Sequence, residues 1–426
     1  MRKMRDSGIE WVGAIPQDWQ LSKIGSLYTQ RNEKVSDKDY QPLSVTMQGI
    51  LPQLATAAKT DDGDNRKLVR VGDFAINSRS DRRGSCGISP LDGSVSLINI
   101  ILTPRTAMHP GYYNWLFHTT LFADEFYKWG HGIVADLWTT RWQEMKSITV
   151  PVPEYAEQEC IAAFLDAECA EIDAVLEKTR ASIEEYKKLK QAVITQAVTK
   201  GIRGDRPMKD SGIEWIGDIP ESWEVSSVRY IGQLQNGISK GGEFFGKGFP
   251  FVSYGDVYKN YELPHSVSGL IDTTEDERAT YSVEYGDIFF TRTSETIEEV
   301  GFSCVCKRSI PNATFAGFII RLRPFCTDEK ILTDYAKYYF RGEHIRAYLV
   351  KEMNLVTRAS LGQTLLKGMS VIVPPKSVQK EIAEYLDDKC ADIDALVAKK
   401  QQYLTEIENY KKSLIYEYVT GKKEVV

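Results

Sequence analysis

Two segments of this chain repeat apolar residues alternately three and four positions apart, each for about five heptads. From Ala162 to Ala197 the register runs through Leu165, Cys169, Ile172, Leu176 and Ile183, and nine of its eleven positions are apolar. From Ala383 to Tyr418 it runs through Leu386, Cys390, Ile393, Val397 and Leu404, again with nine of eleven apolar. A sustained 3.5-residue repeat predicts a coiled-coil seam, since a helix lying on a globular core shows a wider stripe over fewer turns. The seam is expected to rest on Leu165, Ile172, Leu176 and Ile183 in one helix and on Leu386, Ile393, Val397 and Leu404 in the other. Pro151 and Pro153 precede the first helix, Pro374 and Pro375 the second, and Gly201 and Gly421 stand near their ends. Proline is tolerated only at or before the first turn, and glycine is a common stop. At ~1.5 Å per residue, about 44 helical residues span roughly 66 Å.

The remaining sequence alternates between the two regular periods. Runs such as SLINIILTP and TFAGFIIRLRP are strand-like, whereas YYNWLFHTTLFADEFYKW and DYAKYYFRGEHIRAYLVKE carry helical spacing. The chain therefore reads as α+β, with two α/β domains and two long helices.

The pattern also repeats at the level of whole segments. SGIEWVGAIPQDW (Ser7–Trp19) returns as SGIEWIGDIPESW (Ser211–Trp223), identical at nine of thirteen positions. VRVGDFAINSRSD (Val69–Asp81) is echoed by VEYGDIFFTRTSE (Val283–Glu295). EQECIAAFLDAECAEIDAVLEK (Glu157–Lys178) returns as VQKEIAEYLDDKCADIDALVAK (Val378–Lys399), with Gln158 opposite Gln379 and Asp166 opposite Asp387. The plan is head, helix, head, helix, with boundaries expected at 1–155, 156–203, 204–375 and 376–426. Chain order makes antiparallel pairing of the helices the simplest arrangement, relating the two halves by a pseudo-two-fold internal repeat. The spacing between the first motif pair is 204 and between the second 221, so the second head carries about 17 extra residues.

Composition narrows the class without choosing a function. The chain has 426 residues, more than one core usually serves, and its 42% hydrophobic and 26% charged content is that of an ordinary globular protein. No apolar run reaches 18 residues and the N-terminal stretch lacks an apolar signal core, so no membrane partner is expected and the cytoplasm is the expected location. A net charge of −6 argues against a protein that wraps nucleic acid unaided. The seven cysteines form no CxxC pair and are expected to be buried free thiols. The five histidines show no ligand spacing, so no metal site is expected. Gly241, Gly246 and Lys247 fit a phosphate-loop spacing, but Gly248 stands where Ser or Thr must hold magnesium. No catalytic constellation emerges, and the chain is expected not to be an enzyme.

Basic residues cluster in two places. Asn77–Ser85 carries Arg79, Arg82 and Arg83 against Asp81, and Lys337–Lys351 carries Lys337, Arg341, Arg346 and Lys351 against Glu343. Arg292 sits one position out of step with Arg79 in the aligned GDF and GDI motifs. Either these are solvated faces, or the guanidinium forks reach guanine edges and phosphates. Arg79, Arg82, Arg83, Arg292, Arg346 and Arg358 are the DNA-binding candidates.

The doubled SGIEWxGxIPxxW openings, the proline-led EQ/VQ…IAxFLD/IAxYLD helix starts and the fourfold plan resemble the specificity subunit of a type I restriction–modification system. The resemblance covers essentially the whole chain. It implies that each head is a target recognition domain reading one half of a bipartite, asymmetric site on double-stranded DNA. It further implies that the antiparallel coiled coil docks two methyltransferase (modification) subunits and that restriction/translocase subunits join them. S-adenosylmethionine and ATP with magnesium would then reside in the partner subunits, with no cofactor in this chain. The rival readings are a coiled-coil scaffold and an orphan DNA-binding subunit without active partners.

Overall fold

The computed structural model describes residues 2–53, 63–132, 138–204, 206–294, 299–352 and 359–425. The chain forms two compact units, Met1–Arg180 with Gln401–Val426, and Ala181–Lys400.

The head of the first unit is built on an antiparallel sheet ordered Cys86–Ile88, Phe74–Asn77, Asn99–Pro104, Tyr28–Arg31. Its two central strands are apolar on both faces, and the two-residue period sends alternate side chains to different cores. Phe74, Ile76, Ile100 and Leu102 join a large core with the helices Pro110–Phe117 and Thr120–Lys128. Ala75 and Ile101 face the other way, into a smaller core with Leu43, Ile50, Val69 and Val95. Burial on both faces thus explains the consecutive apolar residues Ile100, Ile101 and Leu102.

The second head repeats the arrangement. Its sheet is ordered Gly232–Asn236, Ile319–Pro324, Ile288–Thr291, Ser303–Val305, again antiparallel. Ile288, Phe290, Ile320 and Leu322 enter the larger core, and Phe289 and Ile319 enter the smaller one. Thr333–Tyr339 and Glu343–Glu352 are the covering helices.

The GDF and GDI motifs are the same turn in each head. Gly72 and Gly286 have φ of +86° and +89°, a conformation glycine takes without penalty, and the aspartate that follows ties the turn to the sheet. Asp73 accepts from Arg70 N–H at 2.9 Å, Arg31 Nε at 2.8 Å and Thr103 Oγ1 at 2.8 Å. Asp287 accepts from Glu284 N–H at 2.8 Å and from both ends of the Arg323 fork at 2.7 and 2.6 Å. Burial pushes the Asp287 carboxyl up while Arg323 pulls against it.

The long helices run Tyr155–Lys200 and Lys376–Val419. Within the first unit they pair antiparallel. Phe164 packs on Tyr418 with centroids 4.4 Å apart, Asp173 bonds Lys411 at 2.6 Å, and Arg180 bonds Glu408 at 2.6 Å. Leu165 and Leu176 are buried and Ile172 is half-buried. Within the second unit Lys190 bonds Asp394 at 2.7 Å and Lys400 lies 5.6 Å from the Tyr186 ring. Ile183, Leu386 and Ile393 are buried there and Val397 is half-buried, as is Leu404 of the first unit. Two of the interruptions in the apolar register, Lys190 and Lys411, are the two lysines of this repeated ion pair.

Each helix start is locked by its glutamine. Gln158 donates to the Pro153 carbonyl and accepts from His109 N–H, both at 2.9 Å; Gln379 donates to the Pro374 carbonyl at 2.8 Å and accepts from Leu332 N–H at 2.7 Å. Each helix end closes a head. The Tyr112 hydroxyl donates to the Val419 carbonyl at 2.8 Å, and that of Tyr335 to the Val198 carbonyl at 3.0 Å. In the first unit Tyr416 also donates to the Val12 carbonyl at 2.9 Å, inside the SGIEWVG turn.

Gly421 and Gly201 end the helices at φ of +69° and +81°. A Cβ at Gly421 would lie 2.5 Å from Pro16 and 2.9 Å from Trp19, whereas one at Gly201 would meet Trp223 at 3.4 Å. Gly421→Ala is therefore expected to destabilise the first unit by about 2–4 kcal/mol, left-handed strain plus overpacking, and Gly201→Ala by only about 1–2 kcal/mol. Urea titration followed by tryptophan fluorescence reads the difference; equal losses would contradict the packing argument.

His344 is enclosed in the second unit against Trp215 and Tyr339, with neither ring nitrogen hydrogen-bonded. Burial lowers its pKa from 6.5 to about 3. The unfolded chain protonates first, so this contribution to stability is complete above pH 6.5 and is lost as pH falls toward 3, at up to ~1.4 kcal/mol per unit. Urea midpoints between pH 7 and 4 should fall less steeply in His344→Leu than in the parent.

Candidate nucleic-acid interface

The arginine clusters separate once their surroundings are known. Arg341 is buried, donating to the carbonyls of Ser303, Val257 and Asn260 and lying 4.7 Å from the Tyr261 ring and 4.9 Å from Phe302. Lys337 is buried on Glu262 and Asp387, and Lys351 pairs with Glu214. Arg346 donates to the Val300 carbonyl and lies over Phe302. Lys337 and Arg341 are thus engaged inside their own head, Arg346 is half-buried, and Lys351 pairs at the exposed surface. Arg358 lies outside the described residues.

The other cluster is exposed. Ser80–Arg82 forms a single 3₁₀ turn after the strand Phe74–Asn77. Arg79 rests 3.6 Å from Asp81, Arg82 is more loosely placed at 4.0 Å from the same carboxylate, and Arg83 pairs with Asp124. Beside Arg79 opens a cleft of about 490 Å³ that also presents Lys67, Arg141, Gln30 and Trp142. Among the described residues no acidic one lines it. Lys67 donates to the Asn99 carbonyl at 2.7 Å, and burial lowers its pKa. Exposed Leu97 and Ile98 form an apolar lip. Three cations over an apolar wall suit a phosphate backbone with base edges beside it.

Backbone hydrogen bonds place the corresponding edge of the second head. Ser78 N–H donates to Ile98 and Thr140 N–H to Ser78; in the second head Arg292 N–H donates to Phe318 and Leu361 N–H to Arg292. Ser78 therefore matches Arg292, Ile98 matches Phe318, Thr140 matches Leu361, and Arg79 falls opposite Thr293. The one-position offset of the two arginines is real: they leave adjacent positions of the same turn. The edge of the second head carries half-buried Arg292, Phe318 with 63% of its surface exposed, and the amides of Asn236 and Gln363, where the first head has Asn32 and Trp142. One backbone frame thus presents different side chains in each head. Sequence reasoning missed Lys67, Arg141 and Gln363, because only the folded head brings 67, 79 and 141 together.

Nothing in the described residues suggests a second chemistry. The glycine-rich stretch is a 3₁₀ turn, Gly242–Phe244, leading into a strand, Phe245–Val252, so no helix N-terminus follows to receive a phosphate. Among the described residues no group of three or more His, Cys, Asp or Glu could hold a metal ion, and no helix is long and apolar enough to cross a membrane. Five of the seven cysteines are buried and free; contrary to expectation, Cys160 and Cys326 are exposed.

Residues 220–408 match the type I restriction modification DNA specificity domain. The chain is 22% identical to the type I restriction enzyme EcoKI specificity subunit of Escherichia coli K12, covering 96% of this chain and 90% of that one. It is 23% identical to the MjaVIII specificity subunit of Methanocaldococcus jannaschii, covering 96% and 94%. Among solved structures it matches a chain from work on complex assembly and conformational transition of the type I R-M system, with TM-score 0.73, 14% identity and 96% and 99% coverage. The HsdS subunit of Thermoanaerobacter tengcongensis matches with TM-score 0.50, 16% identity and 96% and 98% coverage. One domain thus matches the family's model, and along nearly its whole length the chain is similar to specificity subunits of type I restriction enzymes.

Proposed function

We propose that this chain recognises a bipartite, asymmetric site on double-stranded DNA, each head reading one half. The observation that carries the reading is the shared sheet edge: the same turn, held by the same hydrogen bonds, bears Ser78, Arg79 and Ile98 in one head and Arg292, Thr293 and Phe318 in the other. A constant frame with different side chains fits two recognition modules for two different half-sites. In the first head Arg79, Lys67 and Arg141 serve as the contact set, with Arg82 and Arg83 at its margin; in the second Arg292 leads.

The paired long helices are the docking platform in this reading, receiving two modification subunits and, through them, restriction/translocase subunits. S-adenosylmethionine and ATP with magnesium belong to those partners. The net charge of −6 is compatible with DNA binding if the partners supply much of the phosphate contact, which dominates affinity.

The test is selection from a randomised duplex pool by the chain assembled with its modification subunits. Arg79→Ala should relax base preference in one half-site and Arg292→Ala in the other, each by ~1–3 kcal/mol. A uniform loss of affinity with a salt slope lower by about one would instead mark a phosphate contact.

A further inference from the structure

The second head carries a polar pair besides its arginine. Gln363, on the first turn of Gln363–Gly368, donates to the side-chain carbonyl of Asn236 at 3.0 Å, at the end of the strand Gly232–Asn236. Both residues are half-buried and neither remaining amide atom is sealed off from solvent. The pair belongs to the edge that carries Arg292 and Phe318. Asn236 sits opposite Ile320, two residues beyond Phe318, and Gln363 follows Leu361, whose N–H bonds the Arg292 carbonyl at 2.7 Å.

Two side-chain amides joined by one hydrogen bond leave one carbonyl and one amino group to face outward, whichever way each amide is turned. Adenine offers the complement in the major groove, an N7 acceptor beside an N6 donor. Guanine presents two acceptors there, cytosine only a donor and thymine only an acceptor. Because the amides come from two different elements and hold each other, their spacing is set before DNA arrives, which lowers the ordering cost of binding. In the first head Asn32 bonds Gln30 on its own strand at 3.1 Å, and Trp142 stands where Gln363 would be, so no pair bridges two elements. Phe318 adds an apolar surface suited to the methyl group of the paired thymine.

We propose that Asn236 and Gln363 act together as an adenine reader, specifying an A·T pair in the half-site of the second head. The proposal rests on the DNA-recognition reading above.

The test uses defined duplexes carrying the selected site and the full chain assembled with its modification subunits. At the adenine of the second half-site, 7-deazaadenine removes the N7 acceptor and purine removes the amino group. Each is expected to weaken binding by about tenfold or more. Gln363→Ala and Asn236→Ala should bind the parent and substituted duplexes about equally. The base analogues test the contact even if a variant fails to fold. If the parent assembly binds a specific site but tolerates both analogues at every adenine of that half-site, or if the half-site contains no adenine, the amide reader is overturned and the recognition reading stands. If the parent assembly selects no site at all, the recognition reading itself fails, and this proposal with it.

Discussion

The last carbonyls of a long helix have no partner within the helix, and at each helix end this fold satisfies one of them with a buried phenol of a head. The Tyr112 hydroxyl meets the Val419 carbonyl and that of Tyr335 meets the Val198 carbonyl. Around each contact a left-handed glycine lets the chain turn away past a tryptophan, Trp19 in one unit and Trp223 in the other. The repeated SGIEW…W segment is the socket for that helix end. It recurs because each unit must receive a helix terminus as well as launch a helix, and in the first unit the terminus comes from the far end of the sequence. Gln158 and Gln379 do the complementary work at the helix starts.

What is constant between the heads is thus a scaffold: socket, launch point, GD turn and four-stranded sheet. What varies includes the side chains at one edge of that sheet. Ser78 becomes Arg292, Ile98 becomes Phe318 and Trp142 becomes Gln363, on backbone positions joined by the same hydrogen bonds. Separating frame from side chains in this way lets recognition change without disturbing the core. The buried carboxylates Asp73 and Asp287 show the opposite economy, keeping one role while drawing their arginine from different strands, Arg31 in one head and Arg323 in the other.

Much of the architecture was legible because it is periodic. The seam follows from a 3.5-residue repeat and the sheet from apolar runs that the two-residue period divides between two cores. Arg341 and Lys337 were illegible because a buried cation and a solvated one look alike in sequence; only the carbonyls and aromatic rings around Arg341 distinguish them. The cleft of the first head was hidden because Lys67, Arg79 and Arg141 converge only when a strand and two loops fold together. The closure of the first unit joins residues 307 positions apart, a distance over which no local pattern operates.

The central claim, that this chain chooses a split DNA sequence, is tested most directly by methylation-sensitive long-read sequencing of the host genome with and without the gene. The account predicts that one bipartite, asymmetric adenine-methylated motif disappears on deletion and returns on complementation. A methylome unchanged by deletion, in cells where the modification subunits are present and active, would contradict it.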